Sequence, residues 1–356
     1  MNKKVLVGMS GGVDSSVAAV LLKNAGYEVA GVTLRLHDEN LISTDGKCGS
    51  KKDVADAAAV CEKLGIEHYV CEYKSEFETN VMKRFVSEYK NGLTPNPCID
   101  CNRFIKFPKL LETADSLGFD FIATGHYAKR VFLKDTKRFS LASPSDKGKD
   151  QTYVLYSLSQ EILSRLLLPL AEYEKAEIRK IAEENGLVNS HKKDSQDICF
   201  VPDKDYAGFI KRYSGYEPIV GDYISVDGKK LGKHSGIINY TIGQRKGLGI
   251  AFGKPQFVIS KSVSDNSVTL GDEEYLFKNS VTVGNVNFVS IPDLGDRVKC
   301  KAKIRYSQSA VDAVINKNDN GTLTAVFSNA QRAVTPGQAA VFFKDDVLLC
   351  GGTIIE

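Results

Sequence analysis

The chain contains no tryptophan, no apolar run long enough to cross a membrane and no large excess of charge of either sign. The missing apolar run excludes a helical membrane span. A net charge of only +3 excludes a global attractive field, so any nucleic-acid partner must be met by local basic patches. Internal repeats and low-complexity segments are also missing. The N-terminus does not read as a secretory signal, because Gly8 breaks its apolar stretch and Asp14 ends it. A cytoplasmic location is expected, and there the eight cysteines should be reduced. What remains is an ordinary globular composition, 42% hydrophobic and 26% charged over 356 residues, enough for two or three domains.

The first half alternates strand and helix. Residues 5–7 read as a strand, 17–24 as a helix closed by Gly26, and 29–36 as a second strand. Residues 53–64 have helical periodicity ending at Gly65, and 68–73 form a third strand. A helix over 76–90, a turn segment over 91–102, a helix over 104–117 and a strand over 119–124 follow. Residues 174–185 are the last clear helix, ended by Gly186. This alternation predicts an α/β fold with a doubly wound parallel sheet and ligand sites at the strand C-termini. After about residue 204 the segments become short and β-like: 223–226, 257–260, 281–283, 298–304, 323–327 and 340–343. Turn pairs such as Asp227-Gly228 and Asn320-Gly321 separate them. The expected division is 1–203, a catalytic α/β domain; 204–278, a small central β-rich domain; and 279–356, a β-barrel-like domain.

Directly after the first strand comes Ser10-Gly11-Gly12-Val13-Asp14-Ser15-Ser16. A glycine-rich turn between strand and helix presents backbone N–H groups to an anion, and paired glycines let the main chain approach it closely. The serine hydroxyls add donors, and the positive end of the helix favours negative charge. The loop lacks the Gly-Lys-Ser/Thr ending of a Walker A motif and the spaced glycines of a dinucleotide fingerprint. It looks instead like the pyrophosphate loop of enzymes that split ATP between its α and β phosphates. A polar turn without ligand is the plain alternative.

Two cysteine segments stand out. Asn96-Pro97-Cys98-Ile99-Asp100-Cys101-Asn102 lies between two helices, and Pro95 and Pro97 are expected to keep it extended and exposed. Cys199 lies in Ser195-Gln196-Asp197-Ile198-Cys199-Phe200, a loop beyond the last helix. Cys61, Cys71, Cys300 and Cys350 fall on apolar faces or in β segments and read as packing residues; Cys48 is undecided. One CxxC does not make a zinc site, but three cysteines could hold an iron–sulfur cluster.

Taken in order, SGGVDSS, NPCxxCNxxIKF (96–107), TGHYA (124–128), KDQTY (149–153), SQDICF (195–200), a glycine-rich segment over 241–249 and Pro336-Gly337-Gln338 resemble the tRNA-specific 2-thiouridylases, and the resemblance spans essentially the whole chain. That resemblance implies ATP on Gly8, Met9, Ser10, Gly11, Gly12, Val13, Asp14 and Ser15, with adenine near Leu34 and Gly125. It implies adenylation of the wobble-uridine C2 oxygen, with Mg2+ expected, followed by attack of a Cys199 persulfide. Cys101 then releases the sulfur and leaves a Cys101–Cys199 disulfide for a reductant to reset. A variant has Cys101 generate hydrosulfide first. Asn96, Pro97 and Cys98 match a target-base segment, Lys149, Asp150 and Gln151 a tRNA contact, and Arg305 and Tyr306 a second one. Partners implied are tRNA and a sulfur-relay or cysteine desulfurase donor, with the enzyme a monomer. Some members carry aspartate at the place of Cys98 and methionine at that of Leu34. His126 reads as a structural group beside the adenine site.

Two other readings compete. Another pyrophosphate-loop ligase or amidotransferase acting on a small metabolite shares the loop but has no use for Cys101 and Cys199. A non-enzymatic RNA-binding module on a degenerate nucleotide fold releases no pyrophosphate.

Overall fold

The computed structural model describes residues 3–37, 50–194, 198–250 and 253–355; Cys48 and residues 195–197 lie outside them. The strands β1 (Lys4–Gly8), β2 (Glu28–Arg35), β3 (His68–Glu72) and β4 (Phe121–Ala123) belong to one parallel sheet. A hairpin, β5 (Lys129–Leu133) and β6 (Arg138–Ala142), follows β4, and the two-residue β7 (Leu166–Leu167) completes the sheet in the order β3-β2-β1-β4-β7. Leu6 packs into the cluster with Phe107 and Leu110, whereas Val5 and Val7 pack with Val17 and Val60. Alternate side chains of β1 thus meet helices on opposite faces, which is why Val5, Leu6 and Val7 are all apolar. The helices α1 (Val13–Asn24) and α2 (Lys51–Leu64) lie on one face with Lys175–Glu184, and Phe107–Leu117 lies on the other. β1 pairs with β2 on one side and β4 on the other, so the strand order reverses there and opens a crevice at its C-terminal end.

Two local expectations are corrected. The helix expected over 76–90 is Lys74–Phe77 and Lys83–Lys90 joined by a π-helical turn, Glu78–Met82. The segment around Cys98 is not extended: Pro97–Asp100 is a helical turn continuing through the π-helical Cys101–Lys106 into Phe107–Leu117. Proline at the first helical position needs no N–H and has a suitable φ, and the Asn96 side chain caps the turn by accepting from the Cys98 N–H at 3.2 Å. The hairpin β5–β6 carries no strong sequence signal and is not among the expected strands.

Beyond the helix Tyr206–Ser214, β8 (Gly221–Ser225), β9 (Lys230–His234), β10 (Phe257–Ser262) and β11 (Ser267–Gly271) make a four-stranded sheet in the order β10-β11-β8-β9. Next, β12 (Phe277–Phe288), β13 (Val298–Lys303), β14 (Val311–Lys317), β15 (Leu323–Arg332), β16 (Ala339–Lys344) and β17 (Val347–Ile354) pair in the order β12-β15-β14-β13-β16-β17. Pairing of β17 with β12 closes them into a six-stranded barrel, which removes its sheet edges. The hairpin from the first part joins this barrel: Ala142 of β6 pairs with Val347 of β17, and Arg138 donates to the carbonyls of Phe288 and Val289, each at 2.8 Å. The architecture is therefore the expected parallel α/β sheet followed by two β-rich units. Among the described residues, no helix is long and apolar enough to cross a membrane.

Candidate active site

The loop after β1 sits in the crevice at the switch in strand order. Gly11 has φ +71°, and a Cβ there would lie 2.5 Å from the Asp53 carbonyl oxygen, so a side chain is excluded twice over. Gly12 caps α1 with no side-chain hydrogen bond, which leaves N–H groups of the first turn without an intrahelical partner. The Ser15 hydroxyl accepts from the Ser10 N–H at 3.1 Å and lies 3.2 Å from the Ser10 hydroxyl. These donors surround one small volume at the positive end of a twelve-residue helix, an arrangement suited to phosphate oxygens. Gly125 closes it: a Cβ there would lie 2.6 Å from the Asp14 carbonyl carbon and 2.6 Å from the Ser15 nitrogen. Gly8 and the buried Met9 lead into the turn, and the Met9 N–H donates to Val32 at 2.8 Å. Val13 is buried in the core, and Leu34 is half-buried at the end of β2.

A charge network that the sequence does not announce surrounds this loop. Lys175 Nζ lies 2.7 Å from Asp14 Oδ1 and 2.8 Å from Asp194 Oδ1, and the Tyr127 hydroxyl donates to Asp14 at 2.8 Å. Lys149 reaches Asp194 from the other side at 2.9 Å. Burial raises the Asp194 carboxyl, but Lys175 and Lys149 outweigh it and hold the group below its ordinary range. Burial and the neighbouring Asp14 carboxylate push the Tyr127 phenol up, so it stays a donor. Asn189 and Lys192 both donate to the Gly11 carbonyl, at 3.0 and 3.1 Å, and Lys192 also pairs with Asp53 and Asp56. His126 donates to or accepts from Thr124 at 2.8 Å beside Phe107, and burial with Lys106 nearby keeps its ring neutral.

Cys101 and Cys199 share one apolar cluster, built from Phe77, Phe85, Phe200 and Phe209 and resting on Leu34 and Leu36 at the C-terminal end of β2. Cys101 is buried, Cys199 half-buried and Cys98 exposed, and all seven described cysteines are thiols. Burial pushes Cys61 to about 11 and Cys300 to about 12, as suits inert core thiols; Cys350 is raised too, and Cys71 packs on the first core. Among the described residues, no three His, Cys, Asp or Glu side chains converge as a metal would require.

The other predicted contacts divide between exposed groups and groups already used within the chain. Pro97 is buried and Asn96 serves as a cap. Asp150 accepts from the Thr152 N–H at 2.8 Å, and Gln151 accepts from the Tyr127 N–H at 2.8 Å. Arg305 donates to the Ala333 carbonyl. Tyr306 is 45% exposed, which leaves it open to a ligand, and it lies close enough to Asp150, Lys149 and Cys98 to feel their charges. The barrel therefore delivers Tyr306 to the neighbourhood of Cys98 and the Lys149 turn.

Three family models match consecutive parts of the chain: a tRNA methyl transferase HUP domain over residues 3–203, a tRNA methyl transferase PRC-barrel domain over 207–272 and an aminomethyltransferase beta-barrel domain over 278–354. The tRNA-specific 2-thiouridylase MnmA of Lachnoclostridium phytofermentans is 47% identical over 99% of this chain and all of that protein. The same-named protein of Clostridioides difficile is 48% identical, over 99% of this chain and 98% of its own length. A solved 4-thiouridine synthetase–RNA complex with bound ATP is 21% identical, covers 56% of this chain and 45% of its own, and has a TM-score of 0.39.

Proposed function

The chain belongs to the tRNA-specific 2-thiouridylase family and is a tRNA sulfurtransferase, and on that premise we propose that it uses ATP to activate the C2 oxygen of the wobble uridine for replacement by persulfide sulfur. Residues 8–15 hold the ATP phosphates, with adenine against Leu34 and Gly125. The uridine oxygen attacks the α-phosphate, pyrophosphate leaves, and the adenylated oxygen becomes a good leaving group. Mg2+ would travel with the phosphates; the acidic groups beside the loop are already taken by lysines, so phosphate oxygens and water would hold it.

A donor protein loads Cys199 with a terminal sulfur, which attacks C2 and displaces AMP. Cys101, as thiolate, then attacks the Cys199 sulfur and breaks the S–S bond. The outer sulfur stays on the base, and a Cys101–Cys199 disulfide remains for an external thiol to reduce. Asn96, Pro97 and Cys98 line the target base; Lys149, Asp150, Gln151, Arg305 and Tyr306 contact the tRNA. The three units of residues 1–203, 204–278 and 279–356 serve as catalytic, central and tRNA-contacting domains, in one cytoplasmic monomer.

The observation that carries this reading is the shared cluster of Cys101 and Cys199 at the C-terminal end of β2, the strand paired with the one that feeds the loop. Single-turnover reactions with ATP and unmodified tRNA test it. Pyrophosphate release should require tRNA, and incubation with a cysteine desulfurase and cysteine should add one sulfur mass to Cys199. Wild-type rates of 2-thiouridine formation by Cys199→Ala overturn the persulfide route. Pyrophosphate release that needs a small metabolite and ignores tRNA would select the ligase reading instead.

A further inference from the structure

The glycine-rich segment over 241–249 has no place in the chemistry above, yet several hydrogen bonds fix its turn. Gln244 clamps both ends, accepting from the Thr241 N–H through Oε1 and donating through Nε2 to the Lys246 carbonyl, each at 3.0 Å. The Gly243 N–H donates to Val258 at 2.8 Å, and the Val258 N–H donates to Gln244 at 3.0 Å. The buried Tyr223 hydroxyl holds the Leu248 carbonyl at 2.8 Å, and the Leu248 side chain is buried. Gly243, Gly247 and Gly249 take positive φ, so the turn is a conformation that side chains resist. At its tip Arg245 and Lys246 are exposed, and neither forms an ion pair with a described residue. Neither side chain takes part in the hydrogen bonds that hold the turn.

The loop is also fastened to the barrel. Ile242 packs against Leu276 and Ala333, and a Cβ on Gly243 would lie 2.9 Å from Ala333 Cβ and 3.6 Å from Arg332 Nη1. Ala333 is the residue whose carbonyl Arg305 holds. The Arg305 and Arg332 guanidiniums are near enough that burial and mutual repulsion together lower Arg305. Arg305 and Arg332 thus meet the base of the loop, with Glu273 paired to Arg332 at 2.8 Å, while Arg245 and Lys246 stand exposed on the loop itself. Among the described residues only Arg332 of these four has a carboxylate partner, so a local excess of positive charge remains that a polyanion would favour.

We propose that the 241–249 loop is a phosphodiester-binding element, through which Arg245 and Lys246 hold the tRNA backbone at a distance from the target base. This rests on the tRNA reading above, which places the base at Cys98. An RNA strand leaving that point past Tyr306 and Arg305 meets Arg332 and then the loop. Because these contacts are equal in ground and transition states, they set tRNA affinity and leave the chemical step alone.

The test compares unmodified tRNA binding, as a function of salt, for the wild-type protein, Arg245→Ala/Lys246→Ala, Arg245→Lys/Lys246→Arg and a Lys229→Ala/Lys230→Ala control in the same domain. The alanine pair should bind about tenfold more weakly near 0.1 M salt, with the salt slope reduced by about 1–2. Its thiolation rate at saturating tRNA should match wild type, and the charge-keeping pair should bind normally. Unchanged affinity and slope in the alanine pair, or an equal loss in the control, overturns the proposal. Binding by wild type without any thiolation would remove the sulfur-transfer reading while leaving this loop's role standing.

Discussion

Gln338 of the barrel donates through its side-chain amide to the Thr94 carbonyl at 2.7 Å, two residues before the Asn96 cap. The Thr94 N–H in turn donates to Pro336 at 2.9 Å, and a Cβ on Gly337, whose φ is +91°, would lie 2.8 Å from the Thr94 nitrogen. The Pro336-Gly337-Gln338 motif is therefore a latch between the barrel and the segment that carries Cys98 and Cys101.

Gly337→Ala should open that latch. Strain at a left-handed position with backbone contact costs about 1–3 kcal/mol, readable as a lowered urea midpoint. Thiolation should fall by more than ATP binding does, because the barrel bears Tyr306, the proposed tRNA contact. Equal losses in both would place the motif's importance elsewhere.

At the proposed nucleotide site, Gly125→Ala drives a methyl group into the Asp14–Ser15 backbone and should abolish tRNA-dependent pyrophosphate release. Gly118→Ala is the comparison: φ there is +74° but nothing lies within 4 Å, so it should cost about 1 kcal/mol of stability and leave turnover intact. An active Gly125→Ala enzyme would show that the loop tolerates displacement.

Lys175→Met leaves the Asp14 carboxylate without its ammonium partner beside the proposed phosphate site. Repulsion of ATP should raise its KM about 10- to 100-fold in a pyrophosphate-release assay. Adding Asp14→Asn should recover much of the loss, since the unpaired charge is then gone. Failure of the double variant to improve on Lys175→Met would assign Lys175 a direct role on the nucleotide.

Glu88 is held up to about 7 by burial and by Asp100, against the pull of Arg84. An acid whose folded pKa exceeds its ordinary 4.5 binds more protons folded than unfolded, so it weakens the fold as pH rises from about 4.5 through 7. Glu88→Gln should flatten that decline and stabilise the protein at pH 8 by on the order of 1–3 kcal/mol. Urea melts at pH 5 and pH 8 measure it; an unchanged difference between the two would exclude Glu88 as its source.

Much of this was legible along the chain because its cause is local. An apolar strand running into paired glycines can hardly fold otherwise, and the β-like segments after residue 204 all fall on strands. The Cys98 segment misled because Pro95 and Pro97 suggest extension when counted as breakers, whereas one proline at a helix start is compatible with the turn that Asn96 caps. Cys101 then becomes a buried helical residue. The hairpin β5–β6 was not legible because its partner strand, β17, lies some two hundred residues later.

The sequence by itself determined the glycine-rich turn after β1 and the order of α/β and β-rich units, since glycine permissiveness and apolar periodicity act between near neighbours. Only the tertiary structure decided that Lys175 neutralises Asp14 across 161 positions, that Gln338 latches Thr94 across 244, and that Tyr306 stands beside Lys149. Charge pairs and domain contacts depend on distance in space, and no spacing along the chain encodes them.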